Sequence, residues 1–259
     1  METERKTMTI EEAIDKADKH VINGIEMVTV RDMDIVYSTD HFQNKIDLTH
    51  RFSGPAILRF SNCVIWGNSA GKPLFGDIHI VFDYCKFPQG FNIAAGRGKM
   101  EFVRCESKYM RLNYSGRCVV NQCKFGSLGL LNCSKMHLDI INNTEIESWM
   151  EVQLCDGIDI RMLDGKIDNI TINDSSFNYI KIVPTLKTVK LSNTMGGSMI
   201  FCNDITEFYA NDCMVFNGLV TQGKIASKHI SRCVRIFPPE KNLTLYKKCH
   251  MCADASMVA

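Results

Sequence analysis

Short apolar runs separated by turn-forming residues fill the chain from about residue 52 to residue 237. Met110-Arg111-Leu112-Asn113 and Ile170-Thr171-Ile172-Asn173 show the pattern: apolar and polar positions alternate over a few residues, and an Asn follows. Alternation with a period of two is typical of β-strands, and Asn, Gly, Ser and Asp favour the tight backbone of turns. No helical period persists in this region, so the pattern predicts an all-β fold of short strands.

A longer pattern recurs about every 20 residues and consists of an apolar residue, two mostly polar residues, and then Cys or another small residue. Its apolar anchors are Phe60, Phe82, Phe102, Val120, Ile141, Met162, Leu191, Ala210 and Ile230. Subtracting successive anchor numbers gives intervals of 22, 20, 18, 21, 21, 29, 19 and 20 residues. A period of this size indicates a repeat architecture in which each unit covers the apolar face of its neighbour.

The repeat predicts a single-chain parallel β-helix, or β-solenoid, of about nine coils of about 20 residues each. Nine coils would stand roughly 40 Å tall at the spacing of paired strands. An antiparallel sandwich is the alternative fold, but it does not predict a fixed period with the same residue at each anchor. We expect the anchor cysteines to form one interior column, and we expect one corner column of Asn113, Asn132, Asn173 and Asn203. The 29-residue interval should hold either a loop or an added strand over residues 179–183.

The two ends of the chain differ from the middle and divide it into three parts. Thr9-Ile10-Glu11-Glu12 matches a capping box and predicts a short helix over about residues 9–20. That helix and a few strands form a predicted N-terminal cap, residues 1–51. The solenoid then covers residues 52–237. Residues 238–259 form a C-terminal tail or cap, because Pro238-Pro239 supplies no N–H to a strand ladder.

Composition points to a cytoplasmic protein with reduced cysteines. The chain has 12 cysteines in 259 residues, but residues 1–20 are charged throughout and contain no apolar stretch of signal-peptide length. No run of about 18 apolar residues predicts a membrane span. Free cysteine packs as a small apolar residue, so we expect most of these thiols to be buried. The formal net charge of +1 gives no overall attraction to nucleic acid or to an anionic membrane.

Local charge is the surface feature that points to function. Residues 139–174 contain nine acidic and two basic residues, a net charge of −7, whereas residues 97–124 and 224–248 carry +5 and +6. In a solenoid these segments would become bands around the axis. The bands are either ordinary solvated coil faces or a partner-binding surface. The predicted partner-binding residues are Glu145, Glu147, Trp149, Glu151, Asp156 and Asp159, because a tryptophan flanked by charge is typical of binding hot spots.

Two other kinds of chemistry are weaker readings of the same sequence. Asp156, Asp159, Asp164 and Asp168 lie in adjacent coils, and a glycosidase needs two carboxyl groups about 5 to 9.5 Å apart. Turn formation explains each of these aspartates equally well. Cys249 and Cys252 have the spacing of a zinc-binding pair that His229 and Cys233 could complete. Cys233 already serves as an anchor cysteine, which argues against zinc binding. We therefore predict no metal site, and we also predict no catalytic or cofactor site.

The tail Leu243-Thr244-Leu245-Tyr246-Lys247-Lys248-Cys249 resembles the opening of an uncharacterised domain. That domain follows pentapeptide-type repeats in proteins of bacteriophages and bacteria. The period of about 20 residues resembles the square coils of that group, although the five-residue period is absent here. The resemblance implies a phage or bacterial accessory protein that binds another protein.

We therefore predict a non-enzymatic binding protein that presents a rigid, charge-banded solenoid surface to a macromolecular partner, which we expect to be a protein rather than nucleic acid or a membrane. A phage-encoded modulator of a protein in the bacterial host cell is the most concrete version. A β-helical carbohydrate-active enzyme is the alternative, and a structural virion or fibre subunit is the second alternative. The sequence does not identify the oligomeric state, and a dimer or a trimer is compatible with it.

Overall fold

The computed structural model describes residues 7–37, 48, 51–52, 54–67, 77–94 and 96–236. They form one short helix and 23 strands. In chain order the elements are β1 (Thr7–Met8), α1 (Ile10–Asp15), β2 (Asp18–Ile22), β3 (Ile25–Arg31), β4 (Asp34–Tyr37), β5 (Ala56–Ser61), β6 (Val64–Gly67), β7 (His79–Asp83), β8 (Lys86–Phe87), β9 (Phe91–Ala94), β10 (Lys99–Val103), β11 (Glu106–Ser107), β12 (Met110–Asn113), β13 (Arg117–Asn121), β14 (Lys124–Leu131), β15 (His137–Ile141), β16 (Glu145–Gln153), β17 (Ile158–Met162), β18 (Lys166–Asn173), β19 (Ser176–Ile182), β20 (Leu186–Phe201), β21 (Ile205–Val215), β22 (Leu219–Thr221) and β23 (Ile225–Ser231).

The strands stack into three faces. The first face contains β3, β5, β7, β10, β13, β15, β17, β19, the end of β20, and β22. The second face contains β1, β4, β6, β8, β11 and the beginnings of β14, β16 and β18. The third face contains β9, β12, the ends of β14, β16 and β18, the beginning of β20, β21 and β23. Within the described residues every strand pairing is parallel except that of β2 with β3.

This arrangement is a parallel β-solenoid, so the predicted fold is confirmed. One column of the first face shows the register: Phe60, Phe82, Phe102, Val120, Ile140, Met162, Ile182, Phe201 and Thr221 lie one above another. Successive members are 18 to 22 residues apart. Nine stacked positions enclose eight turns, so the stack from β5 to β22 has about eight turns rather than nine coils. Ile140 replaces the anchor Ile141 because Asn142 and Asn143, both with positive φ, lengthen the next corner by one residue.

The interior is filled by the inward-facing residues of all three faces. Phe60, Phe82 and Phe102 stack along the axis with ring centroids 5.2 and 5.1 Å apart, close to the spacing of paired strands. Phe87 and Phe91 pack edge-on against Phe82 from the other two faces. Since each coil is too small to enclose a core, an inward side chain is covered mainly by its equivalents in the coils above and below.

Two corners of the coil share one local structure, in which a residue with positive φ precedes a small side chain that is buried or, at Cys233, half-buried. At the first corner, between the first and second faces, the small residues are Cys63, Cys85, Cys105, Cys123 and Thr144. At the second corner, between the third and first faces, they are Cys133, Cys155, Ser175, Thr194, Cys213 and Cys233. Cys105 Sγ shows their role: it lies 3.4 Å from the Val103 carbonyl oxygen and 3.3 Å from the Phe82 carbonyl oxygen of the coil below. The thiols and hydroxyls therefore act as donors to corner carbonyls.

The prediction of a single anchor column was wrong, because the sequence pattern passes from one corner to the other. Met162 stacks under Ile182 of the first face, whereas Leu191 stacks above Ile172 of the third face. The 29-residue interval is therefore one full coil plus part of the next. The strand predicted within it exists as β19, but it is an ordinary rung of the first face and not an insertion.

The predicted asparagine column was also wrong. Asn113 and Asn173 share a column on the third face. Asn132 lies one position further along, where it supplies the positive φ of the second corner. Asn203 follows the first face instead, and its side-chain amide donates to the Val183 carbonyl oxygen at 2.7 Å. Similar strand-Asn sequences thus occur at different corners, because the corners have similar backbone requirements.

The N-terminal helix covers the bottom of the core and is shorter than predicted. The Thr9 and Glu12 capping box is present, and Ile10, Ala13 and Ile14 are buried. The helix ends at Asp15 instead of continuing to about residue 20. The residues that follow form β2, which pairs with β3 through a two-residue turn with positive φ at Asn23 and Gly24. The open backbone edge of β3 needs hydrogen-bond partners, and β2 supplies them.

Candidate partner-binding surface

The six predicted partner-binding residues lie on different sides of the solenoid. They come from neighbouring coils, and their positions are Glu145 and Glu147 on the second face and the corner after it, Trp149 and Glu151 on the third face, Asp156 at the second corner, and Asp159 on the first face. The sequence position of an acidic residue determines how far along the solenoid axis it lies, but it does not determine on which face or corner the side chain lies. The structure brings Glu147, Trp149 and Glu151 together on one strand and separates them from Asp159.

In the predicted band, Asp139, Glu147 and Asp168 form ion pairs with Lys or Arg of adjacent coils, and Asp159 contacts a histidine. Glu147 Oε1 is 3.0 Å from Lys124 Nζ, and this contact raises the pKa of Lys124. Asp159 Oδ2 is 2.8 Å from His137 Nδ1. On the second face the charges alternate in sign up the stack, in the order Lys86, Glu106, Lys124, Glu145 and Lys166.

The first face carries a second ion-pair network. The buried carboxylate of Asp139 lies 3.2 Å from Arg117 Nη2 in the coil below and 2.7 Å from Arg161 Nε in the coil above. Glu101 contacts Lys99 and lies 3.0 Å from His79 Nε2. Burial raises the pKa of Glu101, but the hydrogen bond and charge of Lys99, together with His79, outweigh burial and hold that pKa below its ordinary value. Adjacent coils are only about 4.8 Å apart, so neighbouring bands of opposite charge neutralise each other.

The four aspartates considered for glycoside chemistry do not share a site. Asp156 accepts a hydrogen bond from Ser176 Oγ at 2.5 Å at the second corner, and Asp159 pairs with His137 on the first face. Asp164 accepts a hydrogen bond from the Asn143 backbone N–H at 2.9 Å at the first corner. Asp168 pairs with Lys187 at 2.7 Å. Each carboxylate stabilises its own corner or face, as turn-forming aspartates do.

The third face contains a trough that runs along β14. Its floor consists of the outward positions Ser127 and Gly129, which have almost no side chain, and of Gly126 at the corner before them. The row of the coil below consists of Lys108, Tyr109 and Arg111, and the row of the coil above consists of Glu147, Trp149 and Glu151. We call this feature the third-face trough. It follows that a recess one coil wide separates two rows of large side chains.

Local sequence explains the shape of the third-face trough. A Cβ at Gly126 would overlap the Lys108 carbonyl oxygen, so the coils approach closely there. Above Gly126 the register of β14 and β16 shifts, and Glu147 and Ser148 project outward as a bulge. At Gly129 a Cβ would lie 3.7 Å from Arg111 Cγ and Nε, an ordinary contact distance. The Arg111 side chain therefore extends over the trough floor.

The charges of the trough are less compensated than those of the other faces. Within the described part of the chain, no ion pair involves Lys108, Arg111 or Glu151. The lower row is positive and the upper row is negative, and each row contains one aromatic side chain. Trp149 is 39% exposed, and aromatic side chains are enriched at protein interfaces. These features fit a surface that is covered by a partner.

Sequence reasoning included Trp149, Glu147 and Glu151 but missed the rest of the trough. It assigned Lys108 and Arg111 only to a basic band and did not use Gly126 or Gly129. The missed signal is Lys124-Phe125-Gly126-Ser127-Leu128-Gly129, a strand in which successive outward residues lack large side chains. A strand that loses its outward side chains often marks a place where a ligand or another backbone approaches.

The cysteines that the structure describes are buried or half-buried, and several of their thiols donate hydrogen bonds to backbone carbonyls. Burial raises the pKa of the Cys118 thiol, and burial raises the pKa of Cys213 to about 11. A thiol with a raised pKa is a weak nucleophile at neutral pH. No group of three or more His, Cys, Asp or Glu residues within the described ranges has the arrangement of a metal site. Cys249 and Cys252 lie outside the described residues.

Comparison with protein-family models, curated proteins and solved structures finds no match to this chain. The resemblance of the tail to a domain of phage and bacterial proteins therefore stays a prediction, and that tail lies outside the described residues. None of the helices in the described ranges is long and apolar enough to cross a membrane.

Proposed function

We propose that this protein is a non-enzymatic binding protein that recognises a protein partner through the third-face trough. One observation carries the proposal: an exposed tryptophan, Trp149, lies beside three charged side chains that have no ion pair among the described residues. Tryptophan, tyrosine and arginine dominate the energetics of protein interfaces, and Trp149, Tyr109 and Arg111 occur together here. A phage-encoded modulator of a protein in the bacterial cytoplasm remains the most concrete version of this proposal.

The scaffold supports such a role because hydrogen bonds between strands hold the described coils together. Parallel ladders run without interruption through the third face from β9 to β23. The backbone of such a scaffold is ordered before a partner arrives. Binding then costs little backbone entropy on the solenoid side, which favours affinity.

The two tryptophans provide a matched test, since Trp66 is 38% exposed and Trp149 is 39% exposed, on different faces. The wild-type chain and the variants Trp149→Ala and Trp66→Ala would be immobilised and exposed to bacterial lysate, and retained proteins would be quantified by mass spectrometry. We expect a partner that is retained by the wild type and by Trp66→Ala but lost by Trp149→Ala. Equal retention by all three chains would contradict the proposal.

Light scattering separates this proposal from a virion or fibre subunit, because a stable trimer would favour the fibre.

A carbohydrate-active enzyme finds no support in the aspartates predicted for it, which lie on separate sides of the solenoid. Nucleic acid would meet Glu147 and Glu151 on one side of the trough, and those carboxylates repel phosphate.

A further inference from the structure

We propose that the third-face trough binds an extended peptide segment of the partner in which acidic and basic side chains alternate. This inference rests on the proposed function and specifies the chemistry of the partner. It follows from three properties of the trough: its direction along β14, the opposite charges of its two rows, and the spacing of side chains within each row.

The dimensions of the trough match an extended chain. The lower and upper rows belong to coils on either side of β14, so their backbones are about 9.6 Å apart, or two strand spacings. Ser127 has a small side chain, so the recess between the rows stays open beside the Arg111 side chain that lies over Gly129, and a peptide can approach the sheet there. Within a row, Tyr109 and Arg111 are two residues apart at the start of β12, and Trp149 and Glu151 are two residues apart on β16. That separation is about 6.8 Å, which equals the distance between side chains on the same side of an extended peptide.

The charges of the trough select the alternation. In an extended peptide, successive side chains point to opposite sides. A peptide that lies along the trough therefore directs its odd-numbered side chains to one row and its even-numbered side chains to the other. Lys108 and Arg111 attract carboxylates on the lower side, and the guanidinium of Arg111 can hold a carboxylate through two hydrogen bonds. Glu151 attracts a basic side chain on the upper side, where the Trp149 ring offers a cation–π contact.

Two synthetic peptides of identical composition test this inference. One alternates four Glu with four Lys, and the other has four Glu followed by four Lys. Binding is measured by the fluorescence of Trp149 in a Trp66→Phe background, which leaves one tryptophan in the chain. We expect the alternating peptide to bind at least about 10-fold more tightly than the block peptide, with an affinity that falls as salt is added.

Variants of the chain show whether the trough is the binding site. Gly129→Leu fills the floor without backbone overlap and should weaken binding of the alternating peptide at least about 10-fold. Thr171→Leu is the matched control because Thr171 lies in the same column, above Glu151. It should leave binding unchanged. Circular dichroism of both variants verifies that the solenoid is intact.

A charge exchange separates recognition from a general effect of charge. Arg111→Glu alone should abolish the preference for the alternating peptide, because the two facing positions 111 and 151 are then both negative. The double variant Arg111→Glu, Glu151→Arg should restore it, since an alternating peptide that shifts by one residue meets opposite signs at these two positions again. Failure of the double variant to restore binding would contradict the alternation.

Equal binding of both peptides would overturn the inference. It would also be overturned if poly-glutamate or a single-stranded oligonucleotide bound more tightly than the alternating peptide, because that result would identify a polyanion site. These outcomes differ from failure of the proposed function. If Trp149→Ala loses a lysate partner while the alternating peptide does not bind, the trough is a binding surface for a segment of different chemistry.

Discussion

The hydroxyl of Thr144 offers a sharp test of how the corners are stabilised. Thr144 is completely buried, and its Oγ1 donates a hydrogen bond to the Ile141 carbonyl oxygen at 2.8 Å. The same oxygen accepts a hydrogen bond from the backbone N–H of Cys123, in the coil below, at 3.3 Å. The hydroxyl also lies 3.4 Å from the Val120 carbonyl oxygen, and substitution of Thr144 by Val keeps the shape of the side chain while removing these three contacts.

The expected cost of Thr144→Val follows from the buried groups that it leaves unsatisfied. An unsatisfied buried N–H costs about 1–3 kcal/mol, and the lost O–H···O bond contributes about 1 kcal/mol. We therefore expect the free energy of unfolding to fall by about 2–4 kcal/mol. Thr144→Ser keeps the hydroxyl and loses one methyl group, so it should cost only about 1 kcal/mol.

Urea unfolding followed by far-UV circular dichroism measures these differences, with the slopes compared to verify that the exposed surface on unfolding is unchanged. Thr171→Val is the matched control, because Thr171 points outward on the third face and its change should stay within about 0.5 kcal/mol. The explanation of the corners would be refuted if Thr144→Val were as stable as the wild type. It would also be refuted if the free energy of unfolding were lower for Thr144→Ser than for Thr144→Val.

Three further predictions concern backbone, core and pH. Gly165→Ala should lower stability by more than about 2 kcal/mol, since φ is 94° and a Cβ would overlap the Thr144 carbonyl oxygen, whereas Gly54→Ala, with no atom within 4 Å of its Cβ, should be neutral in the same urea assay. Phe82→Ala should cost about 3–5 kcal/mol through the cavity and the lost stacking on two rings, measured against the exposed control Phe216→Ala. The folded-state pKa of Glu101 is depressed, so its stabilisation is present above the unfolded pKa of about 4.3 and is lost as pH falls through the folded value. Unfolding midpoints between pH 3 and pH 7 should therefore fall less steeply on acidification in Glu101→Gln than in the wild type, and parallel profiles would contradict this reasoning.

Periodicity alone was sufficient to predict the architecture. Anchors such as Phe60, Phe82 and Phe102 recur at nearly equal intervals, and stacking is the arrangement that lets such small units bury their apolar residues. The capping box at Thr9 was equally visible, because it depends on residues three positions apart. Features set by near neighbours in the chain, or by one constant period, were therefore predictable.

Similar local motifs at different corners were not distinguishable in the sequence. Asn62-Cys63 and Asn132-Cys133 have the same dipeptide and the same backbone conformation, yet they belong to the first and second corners. The length of helix α1 was also determined by residues outside its own segment of the sequence. Residues 18–22 form a strand because the edge of β3 requires hydrogen-bond partners.

The sequence by itself determined the fold class, the height of each charged residue along the axis, and the buried role of most cysteines. Only the tertiary structure decided direction around the axis. It paired Glu147 with Lys124 and Asp139 with Arg117 and Arg161, and so neutralised part of the acidic band. It also aligned the rows of Arg111 and Trp149 on either side of Gly129. The physical reason is that register between coils depends on how many residues each corner contains, and a change of one residue moves every outward side chain to a new neighbour.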